Sequence, residues 1–172
     1  MPTPDVDVDA ILDALEEHNV DYVVIGGFAA ELYDVAIPPT RDVDITPSAE
    51  RANLERLAKV LNQLDARFRV VGGPPEGVRI PGGLTADWLA SMNTMTLTTS
   101  AGPFDVAMRP DGTGGFEELA QNRQLVRYGD REVPVAALED VVRSKEAAGR
   151  EKDLLVIPAL RAHLRRMGST DA

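Results

Sequence analysis

The segment "DYVVIGGFAAELYD", residues 21–34, constrains the fold more than any other part of the chain. Its β-branched and aromatic run predicts a short buried strand, which the glycine pair Gly26-Gly27 ends abruptly. Helix-forming residues follow at once, so the strand is expected to pass directly into a helix. Such a turn lets the backbone approach a ligand closely and aims free amides at anionic oxygen. Taken alone, a Gly-Gly pair after a strand is more often only a tight turn.

Hydrophobic periodicity along the rest of the chain predicts a mixed α+β domain. Ser48 is the expected N-cap of the longest early helix, Gly149 interrupts the C-terminal helical region, and Pro158 kinks or restarts it. Trp88, the only tryptophan, is expected to pack in the core. The predicted helices cover residues 7–18, 28–34, 48–66, 116–122 and most of the chain after residue 138, and the predicted strands and hairpins cover residues 21–27, 41–46, 92–109 and 125–137.

The length of 172 residues suits one domain with a sizeable core. Within it we expect residues 1–110 to form an α/β core and residues 111–172 to form a hairpin and helical C-terminal part of the same domain. The chain has no cysteine, no apolar run of about 18 residues, and no basic or apolar signal segment at its N-terminus. These absences argue against disulfides, thiolate metal sites and membrane insertion, and they predict a cytoplasmic protein.

The net charge of −10 is unevenly distributed along the chain. Residues 1–65 contain 14 acids and four bases, whereas residues 141–168 contain seven bases and three acids. The acidic total disfavours non-specific binding to polynucleotides, but the basic C-terminal segment suits a phosphate-rich ligand. A solvated helix face explains that segment equally well.

The segment "RDVDI" places two acids inside a predicted strand. Because side chains alternate, Asp42 and Asp44 share one face and Val43 and Ile45 share the other, with the two aspartate Cα atoms roughly 6.5 to 7 Å apart. Two carboxylates this close repel each other unless a cation lies between them, and magnesium prefers such oxygen ligands. For an isolated pair of this kind, an exposed strand with solvated acids is the more frequent explanation.

The two features together resemble a known family. The stretch "IGGFAAELYDVAIPPTRDVDI", with 14 residues between Gly27 and Asp42, is similar to the signature of nucleotidyltransferases of the DNA polymerase β-like superfamily. The Thr-Arg pair before Asp42 looks most like the small bacterial branch that includes AbiEii-type and MenT-type toxins. The core match covers roughly residues 20–46, with a weaker correspondence through most of the chain. The resemblance implies a mixed sheet flanked by helices, with a helical C-terminal part.

The family usually supplies a third carboxylate from a later strand. Here "GPFDVAMRP" offers Asp105, flanked by apolar residues in a predicted strand, where an unpaired charge is costly. An acid at the edge of a strand is the alternative explanation. Asp87 and Asp111 are weaker candidates because both lie in predicted loops.

AbiEii-like members also carry a lysine on a C-terminal helix, followed by a basic-acidic pair. The segment "RSKEAAGREKDLL" supplies Lys145 at the first position and Lys152-Asp153 at the second, with Arg150 as a further base. A solvated helical lysine is the alternative for Lys145. The family pattern commonly continues to a second acid three residues later, and that position is Val156 here, which puts the role of Asp153 in doubt.

The resemblance implies transfer of a nucleoside monophosphate from an NTP to an acceptor hydroxyl, with two magnesium ions, or manganese in their place. Glycine amides would cradle phosphate, cationic side chains would neutralise the triphosphate, and the third acid would help to deprotonate the acceptor. Strand alternation places Arg41 opposite the aspartates unless the strand begins after it. The implied metal ligands and catalytic residues are Asp42, Asp44 and Asp105; the implied nucleotide-binding residues are Gly26, Gly27, Arg41 and Lys145; and the further candidates are Thr40, Arg150, Lys152 and Asp153.

The acceptor stays open between a tRNA end, a protein and a small molecule such as an antibiotic. A toxin of this branch would have a cognate antitoxin protein, and a homodimer or a partner would complete the site of so short a chain. Two rivals are a non-catalytic module of the same fold that binds nucleotide or a partner, and a structural domain with an incidental acid pair. The catalytic hypothesis requires the carboxylates of Asp42, Asp44 and Asp105 to converge beside the Gly26-Gly27 turn.

Overall fold

The computed structural model describes residues 5–170, which form seven helices and seven strands. Residues 1–4 belong to the N-terminal segment for which no signal peptide is predicted, and they lie outside this range. The helices are α1 (Val8–Glu17), α2 (Gly26–Leu32), α3 (Arg51–Gln63), α4 (Ala86–Ser91), α5 (Phe116–Asn122), α6 (Leu138–Ala148) and α7 (Glu151–Thr170). The strands are β1 (Tyr22–Ile25), β2 (Val43–Pro47), β3 (Arg67–Phe68), β4 (Thr94–Thr99), β5 (Gly102–Ala107), β6 (Gln124–Tyr128) and β7 (Arg131–Val135).

All seven strands join one mixed sheet in the order β3-β4-β5-β2-β1-β7-β6. β1 and β2 are antiparallel neighbours at its centre, while β5 runs parallel to β2 and β7 runs parallel to β1. The predicted hairpins are confirmed as the antiparallel pairs β4–β5 and β6–β7. With helices flanking the sheet and closing the chain, the observed architecture is the predicted α+β fold. The sheet includes strands from both sides of residue 110.

The core forms where the apolar stripes of the helices meet the inner strands. Val43 and Ile45 of β2 are fully buried, as the alternation predicts, and so are Val23 and Val24 of β1. Because the central strands are enclosed, burial of their β-branched side chains contributes roughly 1.5–3 kcal/mol each. Within residues 5–170, no helix is long and apolar enough to cross a membrane.

The structure differs from the local predictions at four places, and at Pro158 the difference concerns the new start, one of the two predicted alternatives. α3 begins at Arg51 with Glu50 at the cap position, and Ser48 is instead buried in the preceding turn, where its hydroxyl accepts the Glu50 N–H at 3.4 Å. α7 continues through Pro158 without a new start. β3 and α4 lie in segments for which no element was predicted. Trp88 on α4 is 42% exposed and contacts the Phe68 ring at a centroid distance of 5.9 Å.

Candidate active site

Three acids from two separate segments of the chain meet at the centre of the sheet. Asp42 immediately precedes β2, Asp44 lies within β2, and Asp105 lies within β5. Since β2 and β5 are parallel neighbours, the register sets Asp44 directly opposite Asp105. One carboxylate oxygen from each of the three acids lies within 4.8 Å of the other two. We call these three residues the acid cluster.

The Gly-Gly turn packs directly against the acid cluster. β1 pairs Ile25 with Asp44, so Gly26 follows at the level of that carboxylate. Gly26 has a φ of +69°, and a Cβ there would lie 2.6 Å from Asp44 Oδ2. Both the backbone conformation and the close approach therefore require glycine.

Thr40 links the second glycine to the cluster. A Cβ on Gly27 would lie 3.2 Å from Thr40 Oγ1, and that hydroxyl donates a hydrogen bond to Asp42 Oδ1 at 2.9 Å. The Thr40 N–H in turn donates to Glu31 Oε2 at 3.2 Å. Thr40 thus orients the Asp42 carboxyl from the side of the glycine turn.

The electrostatics of the cluster reflect crowded, partly buried carboxyls. Burial, and then the charges of Asp42 and Asp105, raise the pKa of Asp44 well above its usual range, although Lys145 and Lys152 act in the opposite direction. Burial also raises the pKa of Asp105 to about 6. Desolvation and mutual repulsion both disfavour the charged form of a carboxyl.

Arg69 opposes this effect at Asp105. Its Nη2 lies 3.2 Å from both carboxylate oxygens, and the backbone N–H of Leu97 donates to Oδ1 at 3.2 Å. These two contacts act to lower the pKa of Asp105, but burial outweighs them.

The acid cluster fits a divalent cation. Its donors are carboxylate oxygens within ligand distance of one another, which is the set that magnesium and manganese prefer. Such a cation would offset the electrostatic repulsion among the carboxylates of Asp42, Asp44 and Asp105.

A buried ion-pair group closes the site from the C-terminal side. Gly149 adopts a left-handed conformation between α6 and α7, and this corner brings Lys145 Nζ to 3.2 Å and Arg150 Nε to 2.6 Å from the two oxygens of Asp153. The Asp153 side chain is only 1% exposed. Burial raises the pKa of Asp153, but the hydrogen bonds and charges of Arg150 and Lys145 outweigh it and lower the pKa overall. Lys145, 12% exposed, is not a solvated surface lysine.

The acid cluster, the glycine turn and the C-terminal bases share one cavity of about 690 Å³. Arg41 does not line this cavity; it lines a second cleft of about 460 Å³ beside Tyr128. Asp111 lines the first cavity outside the cluster, and Asp87 pairs with Arg51 at 2.6 Å. The cavity lining includes the predicted site residues Gly26, Gly27, Thr40, Asp42, Asp44, Asp105, Lys145, Arg150, Lys152 and Asp153.

Two charged residues that the sequence did not single out also belong to this region. Arg69 follows β3, whose two residues are too few to show a periodicity. Asp140 lies in the first turn of α6, lines the cavity, and is 5% exposed. The detectable signal for Asp140 was the acid pair Glu139-Asp140 set between apolar residues in the stretch "ALEDVV".

The sheet and its helices are shared with solved structures of other proteins. By sequence, no protein family and no curated protein matches the chain. By structure, it aligns with the lincosamide antibiotic adenylyltransferase LnuA at a TM-score of 0.61 and 17% identity, over 93% of this chain and 99% of that chain. The antibiotic-resistance factor ANT(2'')-Ia aligns at 0.57 and 15% identity, over 95% and 83% of the two chains. A candidate nucleotidyltransferase from Thermotoga maritima aligns at 0.53 and 16% identity, over 92% and 91%.

These likenesses establish the fold class. The chain has the fold of nucleotidyltransferases, as the resemblance in the sequence predicts. The acid cluster lies at the centre of that fold, beside the glycine turn.

Proposed function

We propose that the protein is a metal-dependent nucleotidyltransferase that moves a nucleoside monophosphate from an NTP to an acceptor hydroxyl. The observation that carries the proposal is the convergence of Asp42, Asp44 and Asp105 beside the Gly26-Gly27 turn. A solvated, incidental acid pair would not recruit a third acid from another strand. The geometric requirement stated for the catalytic hypothesis is met.

In this reaction the acceptor hydroxyl oxygen forms a bond to the α-phosphorus, the bond from that phosphorus to the bridging oxygen breaks, and pyrophosphate leaves. Magnesium held by Asp42, Asp44 and Asp105 would supply charge neutralisation to the attacking and leaving oxygens. Asp105 would complete the ion next to the attacking hydroxyl, whose charge would favour loss of the hydroxyl proton to water.

The remaining site residues bind and orient the nucleotide. The backbone of the Gly26-Gly27 turn approaches the phosphates closely because no side chain intervenes. Lys145 neutralises triphosphate oxygens as a point charge, and Asp153 holds its ammonium in place at 3.2 Å. In this division of work, residues 1–110 supply the acids and the glycine turn, and residues 111–172 supply the cationic wall.

A small molecule with hydroxyl groups is the acceptor that the fold supports best. LnuA and ANT(2'')-Ia, which act on antibiotics, align over most of their length, and ANT(2'')-Ia has been determined with adenylyl-2''-tobramycin. The net charge of −10 disfavours a polyanionic acceptor. A tRNA end is the alternative that the AbiEii- and MenT-type resemblance favours. That alternative brings with it a cognate antitoxin, and a homodimer is a further proposal.

The test combines labelled NTPs, magnesium and three acceptor sets: tRNA, the protein itself, and a panel of aminoglycosides, lincosamides and other polyhydroxyl compounds. We expect label on one acceptor set, and no label with Asp42→Asn or Asp44→Asn. Asp87→Asn is the matched control, because it removes an exposed carboxylate outside the acid cluster and should leave transfer unchanged. Tight NTP binding without transfer to any acceptor would instead indicate a non-catalytic nucleotide-binding module.

A further inference from the structure

We propose that Arg69 is a positioning residue that fixes Asp105 for nucleotidyl transfer and leaves that carboxylate a single open acceptor position. This inference rests on the proposed function of the acid cluster. It concerns a residue in a segment with no recognisable sequence pattern.

The backbone places Arg69 rigidly beside the sheet. Its N–H donates to the carbonyl of Thr96 at 2.9 Å, and Thr96 is the residue that β4 pairs with Asp105. The side chain of Arg69 therefore starts two strands from Asp105 and crosses β4 to reach it. The guanidinium is about one-third exposed, and the carboxyl that it contacts is 17% exposed.

The hydrogen bonds of Asp105 can be counted. An ionised carboxylate offers about four acceptor positions, two on each oxygen. Oδ1 receives the Leu97 N–H and Arg69 Nη2, so both of its positions are used. Among the donors of residues 5–170, Oδ2 receives only Arg69 Nη2, so one of its positions is open. Arg69 thus restricts the carboxylate to one further ligand or proton, taken at Oδ2.

Arg69 also carries a positive charge at the edge of a site built for a cation. The guanidinium repels a divalent ion in the acid cluster, while its contact with both oxygens prevents Asp105 from rotating. Its two effects have opposite signs. It weakens metal binding through charge, and it favours transfer through orientation.

Replacing the guanidinium should separate these effects. Arg69→Gln removes the charge, so we expect manganese to bind about three- to tenfold more tightly by isothermal titration calorimetry. The same variant leaves Asp105 free to rotate, so kcat should fall on the order of 10- to 100-fold with KM for the NTP little changed. Arg69→Lys keeps the charge and one donor nitrogen, so manganese affinity should return to the wild-type value and kcat should recover to within about tenfold.

Arg67→Gln is the matched control. Arg67 lies on β3, two residues before Arg69, and pairs with Asp65 at 2.8 Å. Among residues 5–170, no ion pair or hydrogen bond joins its side chain to the acid cluster. It should change neither manganese affinity nor kcat. General damage to this part of the sheet would lower manganese affinity and kcat in either variant. The positioning role instead predicts a higher manganese affinity and a lower kcat in Arg69→Gln alone.

The proposal is overturned if Arg69→Gln leaves manganese affinity unchanged or lower, or leaves kcat unchanged. Absence of transfer by the wild-type protein on every acceptor would refute the proposed function, and the manganese titration would then decide alone whether Arg69 opposes a cation at Asp105. The two failures are therefore distinguishable.

Discussion

Asp105→Asn should make the metal-free protein more stable while abolishing its proposed activity. The pKa of Asp105 is raised from 3.8 to about 6 in the folded protein, chiefly by burial. When folding raises the pKa of a carboxyl, the protonated carboxyl contributes its full stability at a pH below its pKa in the unfolded chain. This contribution is lost as the pH rises through the pKa that the carboxyl has in the folded protein. Asparagine resembles the protonated carboxyl and does not lose this contribution.

The size of the effect follows from the shift. A difference of about two pKa units corresponds to about 3 kcal/mol, at 1.36 kcal/mol per unit. The difference in the free energy of unfolding between variant and wild type should be near zero below about pH 4. It should grow between about pH 4 and 6 and level off above about pH 6.5. Neutralising Asp105 also removes one of the charges that raise the pKa of Asp44, which acts in the same direction.

The assay is urea unfolding in EDTA at several pH values. Asp87→Asn is the control: Asp87 is exposed and paired with Arg51 at the surface, so its loss should change stability by less than about 1 kcal/mol. The reasoning is refuted if Asp105→Asn is no more stable than wild type at pH 7.5, or if the gap does not depend on pH.

Three further outcomes are expected. Gly26→Ala should lower the free energy of unfolding, measured with urea, by more than Gly82→Ala does. Both glycines have a positive φ, which costs about 1–2 kcal/mol for alanine. Of the two, only Gly26 would also place a Cβ against the Asp44 carboxyl. Asp153→Asn should cost about 1–3 kcal/mol at pH 7, because two cations lose a buried counter-charge, whereas Arg150→Gln, which removes a largely exposed group, should cost less than about 1 kcal/mol. Magnesium should raise the melting temperature at pH 7.5, by an amount equivalent to about 2.7 kcal/mol at a hundred times its Kd. The rise should be much smaller at pH 5, below the raised pKa of about 6 of Asp105, where protons compete for that carboxylate.

The sequence predicted those parts of the site that depend on short local patterns of residues. A β-branched run closed by glycines predicts β1 and its turn, and alternation predicts which side of β2 is buried. Asp105 was singled out because the family resemblance implies a third carboxylate on a later strand, and its apolar neighbours supported the choice. For β1 and β2 the evidence lies within a few residues.

The parts that escaped prediction depend on the path of connecting segments and on which strands become neighbours. The family resemblance assigned Arg41 to the nucleotide, but in the segment between α2 and β2 this residue lines the second cleft instead. Arg69 reaches Asp105 only through the order of strands in the sheet. Trp88 is exposed because its helix packs through other residues, which composition does not reveal. Ser48 shows that a favourable capping residue can be used in a turn before the helix.

Because β2 and β5 are parallel neighbours far apart in the sequence, we expect the acid cluster to form late in folding. The glycine turn, Asp42 and Asp44 come from one contiguous stretch, so this half of the site can assemble from short-range contacts. Asp105 arrives only after a long loop closes and the β4–β5 hairpin docks, against the repulsion of two carboxylates already in place. A partly folded chain would therefore hold the glycine turn without the complete acid cluster. Loss of the proposed activity in mild denaturant would then report the opening of the sheet at its centre rather than fraying of the C-terminal end of α7.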